Sequence, residues 1–452
     1  MDAPPEARIP VVLGPVTGAR PPWGAPRRDL DAVGYVMEEY HLDGVTVAYA
    51  PVEGTSLGPD GRWDVEVVGE AGYRTRLLVV RPRDPARCNG TVVLHWQNVS
   101  AGYELGSADL DELFDGGFAW VGVSAQEIGL YGFPAGMVRG AAALARVPPL
   151  VEHDRERYGE LRHPGDQGSF DIFTQAARAV GPARHQLLAG GPDPLGGLPV
   201  ARVVAAGGSQ SAMRLVAYAN AVHPLEHAVD GFLLTVWEGR APRPHEGAIS
   251  FAGVRTTVRP DLDVPMVVVN SEFEATVMTS LPIRPVDTDR VRLWEVAGTP
   301  HGVARRGRTL AHGLEVNRLS YRPVHEAALR ALQRWLVDGV AAPAQPRIEV
   351  DAATGQLRRD QHGNAVGGVR LPELEAPTAE HRGLWMGTGR APLYGASRPF
   401  DEAQLRALYP TRAAFTARWE AAVDALAATG ALRPEDAPAM KARAAEVALP
   451  VG

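Results

Sequence analysis

The stretch Ala201-Arg-Val-Val-Ala-Ala-Gly-Gly-Ser-Gln-Ser-Ala-Met-Arg-Leu215 constrains the fold more than any other part of the chain. A short β-branched and alanine run stops at two glycines, and helix-forming residues follow from Ser211 to Tyr218. Strand, sharp turn and helix in that order hold the central residue, Ser209, in a strained backbone conformation. Such a turn closes only if the residues two before and two after are small, and Gly207 and Ser211 meet that condition. The pattern is G-x-S-x-G with serine in the last place, and it makes Ser209 a candidate nucleophile. Glycine-serine turns are common, so the assignment needs partners elsewhere in the chain.

At 452 residues the chain is long enough for a large core and a smaller appended unit. A net charge of -7 argues against a nucleic-acid partner, which needs clustered positive charge. Arginine supplies nearly all the cations, Lys441 being the only lysine. Cys88 is the sole cysteine, so an intrachain disulfide and thiolate metal clusters are excluded. Met1 to Pro22 lacks a basic and then apolar leader, and no apolar run is long enough to span a bilayer. A cytoplasmic protein that engages no membrane is expected.

In chain order, residues 1–40 read as a proline- and glycine-punctuated arm. Strand candidates follow at Gly44 to Pro51, Trp63 to Val68 and Tyr73 to Arg81, with a turn at Glu70 to Gly72. Thr91 to Trp96 is a continuous apolar run suited to a strand buried on both faces, then comes a helix over about 107–115 and a second buried strand, Phe118 to Ser124. That succession is a βαβ unit and predicts a parallel sheet. Residues 125–169 break into glycine, proline and short helical pieces such as Arg139 to Arg146, which suits a lid-like insertion after the fourth core strand. Asp171 is placed to N-cap a helix over Ile172 to Leu188. Further strands are expected at Val229 to Trp237, Val264 to Glu274 and Val291 to Ala297, with a proline- and arginine-rich excursion over 240–262. A helix over about 323–337 closes a core spanning 41–340, and 341–452 form an extension packed on it, irregular β structure first and helices from Asp401.

A serine nucleophile needs a base to take its proton and a third group to orient that base. Downstream of Ser209 a carboxylate stands at the end of one expected strand, Glu274, and a histidine at the end of the next, His301. Nucleophile, acid and base in that order, each on a loop after its own parallel strand, would converge on one crevice. Glu272 is the alternative acid, and Glu238 a further one if the acid sits one strand earlier. The oxyanion of a tetrahedral intermediate needs backbone donors. One is expected from Gln210 and the second from the loop after Trp96, with Asn98 favoured over Gln97; Trp96, Gln97 and Tyr103 are candidate pocket walls. Among the remaining histidines, His95, His223, His227 and His325 show no H-E-x-x-H or comparable spacing, so neither metal nor cofactor is expected.

Several segments together resemble a known group: Trp96-Gln-Asn-Val-Ser, Val121-Gly-Val-Ser-Ala-Gln126, Phe170-Asp-Ile-Phe, Gly208-Ser-Gln-Ser-Ala, Asn270-Ser-Glu-Phe-Glu, Gly298-Thr-Pro-His, Gly363-Asn-Ala-Val-Gly-Gly and Leu408-Tyr-Pro. They are similar to the large bacterial α/β-hydrolase-domain proteins and cover most of the chain from about 35 to 440. The resemblance implies an α/β-hydrolase fold with a mostly parallel central sheet and a C-terminal β/helical extension. It also implies a serine carboxylester hydrolase acting on a small-molecule ester, with Ser209, His301 and Glu274 as its triad. The alternatives are an acyltransferase or lactone-processing enzyme using the same triad, and a catalytically silent fold that binds a ligand.

Overall fold

The apolar runs that read as doubly buried strands are such strands. β4 (Thr91–Trp96) and β5 (Ala119–Val123) pair in parallel, and all but His95 of their residues are buried. Each fully buried valine or leucine there contributes about 1.5–3 kcal/mol relative to an exposed one. The computed structural model describes residues 8–106, 108–134, 147–188, 190–246, 253–279, 284–303, 309–310, 313–385 and 392–450. The chain divides into two units, Met1–Leu234 with Arg240–Pro265, and Thr235–Gly239 with Met266–Gly452.

In the first unit the strand order is β1 (Val11–Leu13), β2 (Tyr35–Pro51), β3 (Val65–Pro82), β5, β4, β6 (Arg202–Gly208), β7 (Gly231–Thr235), of which the last residue belongs to the second unit. The β1, β2, β3 and β5 pairings are antiparallel, whereas β4 is parallel to both β5 and β6. The segment expected as an arm thus supplies β1 and the start of β2. The expected turn at Glu70 to Gly72 is absent, because β3 runs through it. Val47 pairs with Glu70 and Ala48 with Val68, so Gly69 is an extra residue, taken up as a bulge at φ 60°.

Helix α1 (Asp111–Asp115) links β4 to β5, making the expected βαβ unit. The helix expected at Ile172 to Leu188 is α2 (Ser169–Val180), followed after Gly181 by a single turn, Arg184–Leu187. Asp171 is not its cap. It lies inside the first turn, fully buried, where it accepts from the Val47 N–H and Gln175 and pairs with Arg8 at 2.8 Å. The expected helical piece Arg139 to Arg146 and residues 247–252 of the excursion lie outside the described residues.

The second unit holds β8 (Met266–Ser271) and β9 (Val291–Val296), which are parallel. A helix starts directly at the end of β8, α4 (Glu272–Thr279), α3 being Gln210–Ala217 after β6 in the first unit. Of the face expected on α5 (Arg322–Asp338), Val324, Ala327, Ala328, Leu332 and Trp335 are buried, while Ala331 is only half-buried. The C-terminal residues join β9 by backbone bonds: Val369 donates to Glu295 at 2.7 Å and Ala297 donates to Val369 at 3.0 Å. In α6 (Arg412–Ala428), Phe415, Trp419, Ala422 and Leu426 are buried, and the Trp419 indole donates to the Met440 carbonyl. Among the described residues no helix is long and apolar enough to cross a membrane.

Candidate active site

β6 ends at Gly208, and Ser209 adopts φ 57° and ψ -120° before α3 begins. A serine in that region costs about 1–3 kcal/mol and persists only where its surroundings over-determine it. They do so with small parts. A Cβ on Gly207 would lie 3.0 Å from Leu215 Cδ1 and from Ser211 Oγ, so glycine is required by close approach. The Ser211 hydroxyl accepts from the Gly208 N–H and donates to the Gly208 carbonyl, both at 2.9 Å. Serine in place of the last glycine of the motif therefore clasps the turn shut.

A buried amide network lies behind the turn. Gln126 Oε1 accepts from Gln210 Nε2 at 2.8 Å and from the Trp96 indole at 3.0 Å, while Gln126 Nε2 donates to Asp166, which also receives Arg214 at 2.8 Å. Gln210 Oε1 in turn accepts the Val99 N–H at 3.3 Å. The Gln210 backbone N–H belongs to the first turn of α3, where no intrahelical acceptor exists for it.

Asn98, expected as the second oxyanion donor, is engaged elsewhere. Its backbone N–H donates to Leu105 at 3.2 Å, and its side-chain amide donates to the Gly208 carbonyl at 2.9 Å, bracing the turn at Ser209. The Gln97 backbone N–H is likewise spent, on Val123. Trp96 is corrected from pocket wall to core: it is fully buried against Phe170 and Phe173, with no face left for a substrate. Gln97 is also buried, and Tyr103 meets the Trp23 ring edge-on at 5.7 Å. Sequence reasoning missed Gln126, Asp166 and Arg214, although Gln126 stands just past β5 much as Gln97 stands past β4.

In the second unit, α4 begins at Glu272, so Glu272 and Glu274 are helical residues and not strand ends. Two residues along a helix is about 200° of rotation, which turns the two carboxylates in opposite directions. Both are fully buried. Glu274 Oε1 meets His301 Nδ1 at 2.5 Å, and its Oε2 accepts from the Ser271 N–H and hydroxyl. Glu272 pairs with Arg359 at 2.8 Å and accepts from the N–H groups of Gly298 and Gly383, so it anchors the histidine loop to the C-terminal residues. Asn317 donates to the Gly298 carbonyl at 2.6 Å, and Gly302 donates to Leu393 at 2.9 Å. Those contacts fix Gly298–Gly302 from both ends.

With an ionised Glu274 on Nδ1, the imidazole carries its proton there and presents a lone pair at Nε2. Burial alone would lower the His301 pKa. The hydrogen bond and charge of Glu274, with the charge of Glu238, reverse that effect and hold it above its ordinary value. Glu238, the third acid candidate, places its carboxylate within 4.8 Å of the facing atoms of both Glu274 and His301. It follows Val236, a buried β-branched residue at φ 47°, a conformation that needs outside support. Asn270 gives that support, accepting from the Trp237 N–H at 2.8 Å and donating to the Trp237 carbonyl at 2.9 Å.

Residues 12–442 match a family model described as alpha/beta hydrolase domain. No curated protein matches the chain. Among solved structures it is similar to a prolyl endopeptidase at 11% identity and TM-score 0.28, over 57% of this chain and 40% of that one. It is also similar to esterase Est22 with p-nitrophenol at 11% identity and TM-score 0.30, over 59% and 76%. A third is an alpha-beta serine hydrolase homologue from Coxiella burnetii, at 12% identity and TM-score 0.25, over 49% and 82%. The chain spans about two fifths of the prolyl endopeptidase's length.

Proposed function

The chain belongs to the alpha/beta hydrolase domain family, and from that premise we propose that it is a serine hydrolase that cleaves small carboxylic esters through an acyl-enzyme. The observation that carries this reading is the backbone of Ser209, a non-glycine residue held at φ 57° between a buried strand and a helix. Strain of that kind survives where it aims a side chain.

The mechanism follows from the groups in hand. Ser209 Oγ attacks the ester carbonyl while His301 Nε2 takes its proton. Glu274 holds the imidazole tautomer and stabilises the imidazolium that forms. The Gln210 N–H donates to the oxyanion. Collapse of the tetrahedral intermediate releases the alcohol with the proton from His301, and a water deprotonated by His301 then frees the acid and regenerates Ser209.

A fluorophosphonate probe and a series of p-nitrophenyl esters of graded chain length test the reading together. Stoichiometric labelling of a peptide containing Ser209, with turnover of at least one ester and slower cleavage of matched anilides, is expected. No labelling, or anilide cleavage faster than ester cleavage, overturns it.

A further inference from the structure

Away from Ser209, two more irregularities of backbone occur close together in the first unit, and both concern histidines. α3 runs into a π-helical turn, Tyr218–Val222, and then a last turn, His223–Glu226, closed by His227 at φ 41°. Pro224 accounts for the first irregularity. It has no N–H to donate to the Asn220 carbonyl four residues earlier, so the helix widens there. Arg259 takes up the released carbonyl with its guanidinium at 2.9 Å, and its backbone N–H donates to the Asn220 side chain at 2.9 Å. The chain around Arg259 is thereby docked on this helix end, and four residues on it delivers Asp263.

Asp263 reaches two imidazoles at once. Its Oδ1 lies 2.9 Å from His223 Nε2 and its Oδ2 3.2 Å from His227 Nδ1, and the facing atoms of the three residues all lie within 4.8 Å of one another. His223 is buried, and its Nδ1 meets no hydrogen-bonding group among the described residues, so Nε2 is its one outlet. His227 and Asp263 are more than half exposed, which gives a cation and its waters a way in. Two imidazole nitrogens and a carboxylate oxygen suit a first-row divalent ion. At bond lengths of about 2.0–2.2 Å, neighbouring ligands on a tetrahedron stand about 3.4 Å apart. The guanidinium of Arg259, a cation that acts on His223, is engaged by Asp261 at 2.8 Å and 3.0 Å.

We propose that His223, His227 and Asp263 form a zinc-binding site that staples the end of the nucleophile helix to the segment leading into β8. The histidines stand four apart, at helical spacing, which corrects the expectation that they lack metal-ligand spacing. What the sequence hid was the carboxylate, 36 residues beyond His227. The site is independent of the catalytic reading and does not require Ser209 to be a nucleophile.

The test is equilibrium binding of ZnCl2 to the full chain after chelator treatment, read by calorimetry and by the shift in melting temperature. Wild type and His185→Ala, an exposed histidine elsewhere, are expected to bind one zinc with the same affinity and to melt higher when loaded. His227→Ala and Asp263→Asn should each weaken binding about tenfold or more. His227 is more than half exposed and its ring meets only the edge of His223 among the aromatic rings described, so circular dichroism of both variants should match wild type. Absence of saturable zinc binding by wild type, or unchanged affinity in the folded His227→Ala and Asp263→Asn variants, overturns the proposal.

Discussion

The turn at Ser209 and the Glu274–His301 pair, proposed as nucleophile and as acid-base pair, are secured by opposite means. Ser209 is held by what is absent, the side chain at Gly207, and by neutral hydrogen bonds among Ser211, Asn98, Gln210 and Gln126. His301 is held by buried charge: Glu274 on its ring, Glu238 beside it, and Glu272 with Arg359 behind its loop. The strand, turn and helix are written in about ten consecutive residues, with Asn98 and Gln126 as braces from further off. The acid-base pair depends on chain as distant as Arg359, Gly383 and Leu393. Mutations on the two sides should therefore fail in different ways, the first through chemistry alone and the second through chemistry, stability or pH dependence according to the residue.

The largest effects test whether each side carries its proposed atom. Ser209→Ala should lower kcat by about 10⁴-fold or more with an unchanged melting temperature. Ester turnover within tenfold of wild type by this variant sinks the mechanism. Glu274→Gln keeps the shape but presents an amide to Nδ1, so the wrong tautomer competes; a loss of about 10³ to 10⁴ in kcat is expected. Arg359→Ala separates the two glutamates. It leaves the buried Glu272 carboxylate without its cation and should cost about 3 kcal/mol in denaturant unfolding, with kcat reduced far less than by Glu274→Gln. If Arg359→Ala and Glu274→Gln prove alike in both measurements, the division of labour between the two carboxylates is wrong.

A smaller effect is expected on the nucleophile side. Gln210→Ala retains the backbone N–H proposed to meet the oxyanion but removes the side chain that ties it to Val99 and Gln126. The N–H then loses its fixed aim, which matters more for the tetrahedral state than for bound substrate. A drop of about tenfold in kcat with little change in KM is predicted, equivalent to about 1.4 kcal/mol. An equal rise in KM at constant kcat would mean that Gln210 shapes the binding pocket instead.

This difference in construction also governs what could be read from the sequence. The strand-turn-helix around Ser209 was legible because its requirements fall within one short window, and the order of Glu274 and His301 was legible from the ends of two apolar runs. Choosing between Glu272 and Glu274 was not, since both follow β8. Only a helix beginning at Glu272, where a longer strand was expected, sends the two carboxylates apart. The roles of Arg359 and Asn317 have no local signal at all. Trp96 and Asp171 misled for a related reason: a position beside a functional loop or at an expected helix start looks the same in sequence whether the side chain faces substrate or core. The network of Gln126, Asp166 and Arg214 draws on three separate segments, and no one of them announces it.

The smallest predicted effect distinguishes the two sides most cleanly, because on one side carboxylates stand against the His301 ring itself, whereas on the other the Asp166–Arg214 pair stands behind Gln126. In the proposed mechanism neutral His301 is the base, so the acid limb of kcat/KM is expected to follow its pKa in the free protein. Glu274 and Glu238 hold that pKa above its ordinary value of about 6.5, so activity should rise as pH passes through a point above it. The sign for stability is opposite. A raised histidine pKa stabilises the folded protein below about pH 6.5, and that contribution is lost as pH climbs through the folded value. Glu238→Gln removes one carboxylate from the cluster while leaving the His301–Glu274 bond in place. Its acid limb should therefore move to lower pH, making the variant more active than wild type, relative to its own plateau, on the acid side of the profile. Gln210→Ala, on the other side, should leave the limb where it is. A limb that stays fixed in Glu238→Gln, or that moves equally in Gln210→Ala, would show that the strained turn at Val236 does not serve to set the basicity of His301.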